Sequence, residues 1–223
     1  MRALGVDVSV ARGMDAVLLD EDGRIVDTAR RKTPEEIGAL LVRWAPDAVA
    51  IDAPPAPARG PGASMRAGER ELTRLGIHLF ATPSSPKIWS RPFYAWMRVG
   101  FRVFAVAEAA GYPPFFGTGR LWHHALEVFP HATAVALAGE LPPRGSARTT
   151  SAKRAFRTTS LLRQGVDPSP LASLDQVDAA LCALTGLWAL RGRAAFFGVP
   201  GEDALGVPDP RGDRLAHLRA AGP

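Results

Sequence analysis

The chain has 223 residues, 47% of them hydrophobic and 22% charged, which is the profile of a soluble globular protein with a substantial core. No apolar run reaches the ~18 residues of a membrane span, and Arg2 leads straight into a strand-like run with no secretory signal pattern. A single cysteine, Cys182, excludes an internal disulfide and makes the cytoplasm the expected location, while a net charge of +5, carried almost wholly by arginine, does not by itself identify a polyanionic partner.

In chain order, residues 3–10 read as a buried strand. Residues 14–20 and 24–30 flank Glu21-Asp22-Gly23, whose Asp-Gly step marks a hairpin turn, so three strands form an antiparallel meander. Thr33-Pro34-Glu35-Glu36 supplies a helix N-cap, a proline at the first helical position and a glutamate at the third. Ile37, Leu40, Leu41 and Trp44 then give that helix its apolar face. A fourth strand at 48–53 follows. Since crossover helices join parallel strands, it is expected beside the first.

Residues 54–63 are a Pro/Gly loop. Ser64 is positioned to cap a charged helix over 65–75. A second helix is expected at about 92–110, with Phe93, Trp96, Met97, Phe101 and Phe104 on one face. After a further Gly/Pro loop at 111–120, a fifth strand spans about 123–129 and a short helix begins near 132. Pro142-Pro143-Arg144-Gly145 precedes a basic helix at 150–164. The last clear helix starts at Ser173, with Gln176 completing a capping box. The tail after 196 holds one short strand at most. The pattern predicts an α/β fold: a mixed five-stranded sheet, flanked by helices, in one domain over 1–223 with an insertion at about 54–120.

Carboxylates sit where these elements begin or end. Asp7 lies in the first strand, Asp52 closes the fourth, Glu127 lies in the fifth, and Asp175 and Asp178 head the last helix. An acid within a buried strand is costly unless a cation neutralises it. Asp175 and Asp178, three apart, project from one helix face. Acids there also suit the positive end of the helix dipole, worth roughly 0.3–1 kcal/mol, which is a sufficient structural reason for one of them. Asp7 equally fits an alternating strand, and Asp52 a strand end before Pro54. Taken together, acids on adjacent strands and a helix-borne pair suit two divalent ions that share carboxylate ligands and promote phosphodiester hydrolysis. An all-oxygen site favours Mg²⁺ or Mn²⁺.

Five segments resemble the domain-of-unknown-function family 429, whose members are predicted nucleases of the ribonuclease H-like fold. They are Gly5-Val-Asp7, Ile51-Asp-Ala-Pro54 with Arg66 and Arg70 downstream, Glu127-Val-Phe-Pro-His-Ala132, the Lys153…Arg157 helix, and Asp175-Gln-Val-Asp-Ala-Ala-Leu-Cys-Ala-Leu184. The last also looks like the C-terminal acidic helix of Holliday-junction resolvases. The resemblance implies a ribonuclease H-like fold with Asp7, Asp52 and one or both of Asp175 and Asp178 as metal ligands. It makes Glu127 a further ligand or a substrate-side residue.

Two acid-free stretches carry cations and suit a DNA or RNA partner. One holds Arg144, Arg148, Lys153, Arg154, Arg157 and Arg163; the other holds Arg74, Lys87, Arg91, Arg98 and Arg102. Solvated helix faces explain them as well. Arg66 and Arg70 point at a phosphate or pair with Glu69 and Glu71; Lys153 and Arg157 form an anion-binding stripe. Trp89 and Phe93 stack on bases or join the core. His123, His124 and His131 lack the spacing of a zinc site. Two other functions share this core: an actin-like ATP-dependent phosphotransferase, disfavoured by the single glycine in Val8-Ser-Val-Ala-Arg-Gly13, and a non-catalytic nucleic-acid-binding module.

Overall fold

The computed structural model of the chain describes residues 1–142 and 149–220. Three strands, β1 (Arg2–Asp7), β2 (Met14–Asp20) and β3 (Ile25–Lys32), form the expected antiparallel meander. Helix α1 (Pro34–Trp44) starts at a complete capping box: Thr33 Oγ1 accepts from the Glu36 amide, and Glu36 Oε2 accepts from the Thr33 amide. The helix buries Ile37, Leu41 and Trp44 and returns the chain to β4 (Ala48–Asp52), parallel to β1.

The segment between β4 and β5 (Ala125–Val128) holds α2 (Ala67–Arg74), two single-turn 3₁₀ helices and α3 (Ala95–Ala109). Beyond β5 come α4 (Pro130–Ala138), α5 (Thr150–Leu162), α6 (Leu174–Leu190), β6 (Ala194–Phe197), β7 (Leu205–Pro208) and α7 (His217–Ala220). The sheet order is β3-β2-β1-β4-β5-β7-β6. An antiparallel meander followed by parallel strands is the ribonuclease H-like arrangement, here with seven strands rather than five. β7 inserts parallel to β5, and β6 pairs antiparallel with it at the edge. Both added strands are four residues long, too short to show alternation in sequence.

Several boundaries differ from expectation. The first strand stops at Asp7, because the hairpin register pairs Asp7 with Asp15 and leaves residues 8–13 as the turn; Val10 is exposed. Arg66, not Ser64, occupies the N-cap of α2. On α3 the buried face is Met97, Gly100, Val103, Phe104 and Ala107, while Phe93 lies before the helix and is 52% exposed. Pro143, Arg144, Gly145 and Arg148 fall outside the described residues. Among the described residues, no helix is long and apolar enough to cross a membrane.

The sheet separates two apolar layers. On one face, Ala3, Val17 and Leu19 pack against α6; on the other, Leu4, Val6 and Ile51 pack against α1 and α3. Two glycines set how close the helices come. A Cβ on Gly5 would stand 1.9 Å from the Ala179 carbonyl oxygen and 2.3 Å from the Ala183 nitrogen, so α6 lies directly on β1. A Cβ on Gly100 would stand 2.3 Å from that of Ala53, so α3 presses on the end of β4. Both approaches converge on the edge where β1 and β4 end.

Candidate functional site

Asp7 and Asp52 are the last residues of adjacent parallel strands and stand opposite each other in register. Lateral neighbours in a sheet point to the same face, and alternation puts Asp7 on the face of Ala3 and Gly5, toward α6. From α6 comes Asp178, a buried residue one turn into the helix. Burial pushes the Asp7 carboxyl well above its usual range, and Asp52, Asp178 and Asp175 push it further. Asp52 is likewise raised, to about 8, by burial and then by Asp178. Asp178 rises to about 6 through burial, against the pull of the Arg157 guanidinium.

Arg157 of α5 donates a hydrogen bond to Asp178 Oδ2. The other oxygen, Oδ1, is buried with no hydrogen-bond partner. Such an orphan is unusual in a folded interior. Asp175, half-buried at the edge of this group, pairs with Arg12 at 3.1 Å. The α6 N-terminus is fixed by Ser173, which accepts from the Gln176 amide and donates to Asp15 at 3.0 Å. Gln176 reaches back to the Ala172 amide rather than to Ser173. Asp15, unremarked in the sequence, thus locks α6 to the strand beside Asp7; the hairpin register was the signal that could have found it.

Glu127 stands elsewhere. It is in register with Ile51, one residue short of Asp52, so it projects to the opposite face of the sheet. Both its oxygens accept from Arg66. Arg66 is buried and is held a second time by Glu69, whose carboxylate also takes the Thr82 amide and hydroxyl. These contacts hold the Arg66 guanidinium charged, while burial pushes Glu127 up to about 7. Arg66 therefore spends its donors on two carboxylates of its own chain. Pairing with Glu69 is one of the two readings the sequence offers for Arg66, and the place of Glu69 three residues after the N-cap of α2 makes it a capping-box partner as well.

A cavity of about 310 Å³ joins the two sets: Asp52, Arg157, Arg66 and Glu127 all line it, with Phe80 and Trp96 on its apolar side. Arg70 is exposed, reaches the Met65 carbonyl and lines a different cavity with Arg59 and Phe116; Glu71 pairs with Arg214. Lys153 is exposed on the same helix as Arg157, whereas Arg154 donates to the Leu171 and Ala172 carbonyls. On the other stretch, Arg102 pairs with Glu35 at 2.6 Å and Arg98 donates to the Trp89 carbonyl. Trp89 packs edge-on to Phe101, while Phe93 meets Phe80 edge-on at 5.2 Å. His123 and His124 precede β5, at the opposite end of that strand from Glu127.

Among the described residues, no three His, Cys, Asp or Glu side chains stand in an arrangement that holds an ion. The donor set nevertheless suits a cation. Three carboxyls gather near one guanidinium, burial and mutual repulsion drive two of them toward the protonated form, and one oxygen of the third is unpartnered. All donors are hard oxygens, as Mg²⁺ and Mn²⁺ require.

The family model described as "Protein of unknown function (DUF429)" matches residues 5–203. Among solved structures, a Thermus thermophilus RuvC structure is similar at 17% identity, covering 86% of this chain and 97% of that chain with a TM-score of 0.48. No curated protein matches the chain.

Proposed function

The chain belongs to the DUF429 family, and on that premise we propose that it is a metal-dependent nuclease that hydrolyses phosphodiester bonds of nucleic acid. One observation carries the reading: Asp7 and Asp52, opposite each other at the ends of parallel strands, are both driven toward protonation beside a buried, half-partnered Asp178. A protein gains nothing for its fold by crowding three acids into one buried corner. The arrangement makes sense as a cation site.

In this reading Asp7, Asp52 and Asp178 hold Mg²⁺ or Mn²⁺, and Asp175 lies at the mouth beside Arg12. The bound ion would supply an activated water and stabilise charge developing on phosphate oxygens. Arg157 neutralises Asp178 and lines the cleft, so it is placed to donate to a phosphate oxygen as well. Lys153, one turn earlier on the same helix, extends that positive edge. Arg66 acts by positioning Glu127 at the cleft wall rather than by reading substrate, and Arg70 stays a surface cation for a more distant phosphate. The whole of 1–223 works as one unit, with residues 54–120 supplying the far wall of the cleft.

The test is cleavage of labelled single-stranded, duplex and branched DNA and RNA by the purified chain. Activity should appear with Mg²⁺ or Mn²⁺, vanish in EDTA, and be lost in Asp52→Asn. Metal-independent cleavage that survives Asp52→Asn would overturn the reading, and so would no cleavage of any form.

A further inference from the structure

A second cavity, of about 390 Å³, lies next to the first and has the opposite character. His78, His131, Lys153 and Arg157 line it, with Phe80 and Phe156 as apolar walls, and no carboxylate among the described residues does so. The two cavities share Phe80, Phe129 and Arg157. Phe80 is 60% exposed and makes edge-on contacts with Phe93 and Trp96, which hold its ring in place while leaving a face uncovered. Arg157 is placed by its pair with Asp178, but no contact among the described residues accounts for Lys153, two imidazoles and an uncovered aromatic ring meeting beside it. The fixed positive charges of Lys153 and Arg157 on this acid-free wall favour an anion lying between them.

We propose that this cavity receives one unpaired nucleotide of the substrate strand, its phosphate held by Lys153, His131 and His78 and its base laid on Phe80. The inference rests on the nuclease reading, which it deepens: the phosphate here is the neighbour of the one held at Asp52, with Arg157 between them. The chemistry is specific to an unpaired nucleotide, because a base within a duplex cannot present its face to a protein ring. His131 fits this role. Burial and then the charges of Arg157, Lys153 and His78 hold its imidazole down at about 4, and a phosphate would reverse that pressure.

The experiment follows imidazole resonances by NMR in metal-free protein with EDTA. The chain has only five histidines, so His78 and His131 are assigned from His78→Gln and His131→Gln. The probes are thymidine 5′-monophosphate, thymidine and inorganic phosphate. The monophosphate should move the His78 and His131 signals and leave His123, His124 and His217 in place. It should bind at least fivefold more tightly than either thymidine or inorganic phosphate. Lys153→Ala, at an exposed helix position, should weaken it at least fivefold. No movement of those two signals would overturn the proposal, as would equal affinity for inorganic phosphate or for the Lys153→Ala variant. Since no bond is cut here, binding without cleavage in the nuclease assay would remove the nuclease reading and keep the pocket. Cleavage without binding would remove the pocket alone.

Discussion

Asp7 and Asp52 face each other across two parallel strands, and burial together with the acids around them drives both toward the protonated form. Neither carboxyl has a basic residue as its main influence; burial and neighbouring acids dominate both. That relationship fixes how the protein should respond to pH, to metal and to substitution.

In EDTA, stability should fall as pH rises. Asp52 has a folded value near 8 against an ordinary value of 3.8, so the folded state holds a proton that the unfolded chain releases. Its contribution is complete below about pH 4 and is lost as pH climbs through about 8. Asp7 acts in the same direction. Thermal melts of the metal-free protein from pH 5 to 9 should show a falling midpoint. Asp52→Asn should flatten that slope and melt higher at pH 9. Equal slopes in the two proteins would contradict the assignment.

Arg157→Ala leaves Asp178 buried without its counter-charge. Removing one partner of a buried ion pair costs about 3–5 kcal/mol, so urea denaturation should show a loss of that order in EDTA. Added Mn²⁺ should restore part of it, because the same oxygens would then hold the ion. Arg157→Ala with Asp178→Asn should lose less than Arg157→Ala alone.

Arg66 and Arg70 should separate cleanly. Arg66→Ala strands Glu127 and Glu69 and is expected to cost about 3–5 kcal/mol. Arg70→Ala, at an exposed position, should stay within about 0.5 kcal/mol of the parent and weaken nucleic-acid binding only at low salt. Comparable destabilisation of both variants in urea would show that the two arginines share one role.

Gly5→Ala should be severe for its size. The added methyl collides with the backbone of α6, and overpacking of this kind costs about 1–3 kcal/mol or more. Because α6 carries Asp178, the shift also separates that acid from Asp7. Cleavage should therefore fall by more than the folded fraction does, read by activity against circular dichroism in one preparation.

Much of the scaffold was legible in the chain because it depends on local rules. Thr33-Pro34-Glu36 fixes where α1 begins, and the crossover rule places the strand ending at Asp52 beside the strand of Asp7. What escaped depends on contacts distant in sequence. β6 and β7 are four-residue runs that become strands only by pairing with each other and with β5. For Glu127 the sequence leaves open a further ligand or a substrate-side residue, because strand register, which turns it to the other face of the sheet from Asp52, has no local signature. Arg66 reads equally as a phosphate contact or a partner of Glu69; the Glu69 pair is local and forms, whereas Thr82 and Glu127, which complete the buried network, lie 16 and 61 residues further on. The aromatic spacing over 92–110 places Met97 and Phe104 correctly on the buried face of α3, but Gly100, Val103 and Ala107, not Phe93, complete that face.

The account depends on acid side chains from β1, β4 and α6 gripping a divalent ion, and crystals soaked in Mn²⁺ and read for anomalous scattering test this directly. The prediction is a peak in contact with Asp7, Asp52 and Asp178, absent from Asp52→Asn crystals soaked in parallel. Manganese bound only at other surface carboxylates, with no peak beside these three, would contradict it.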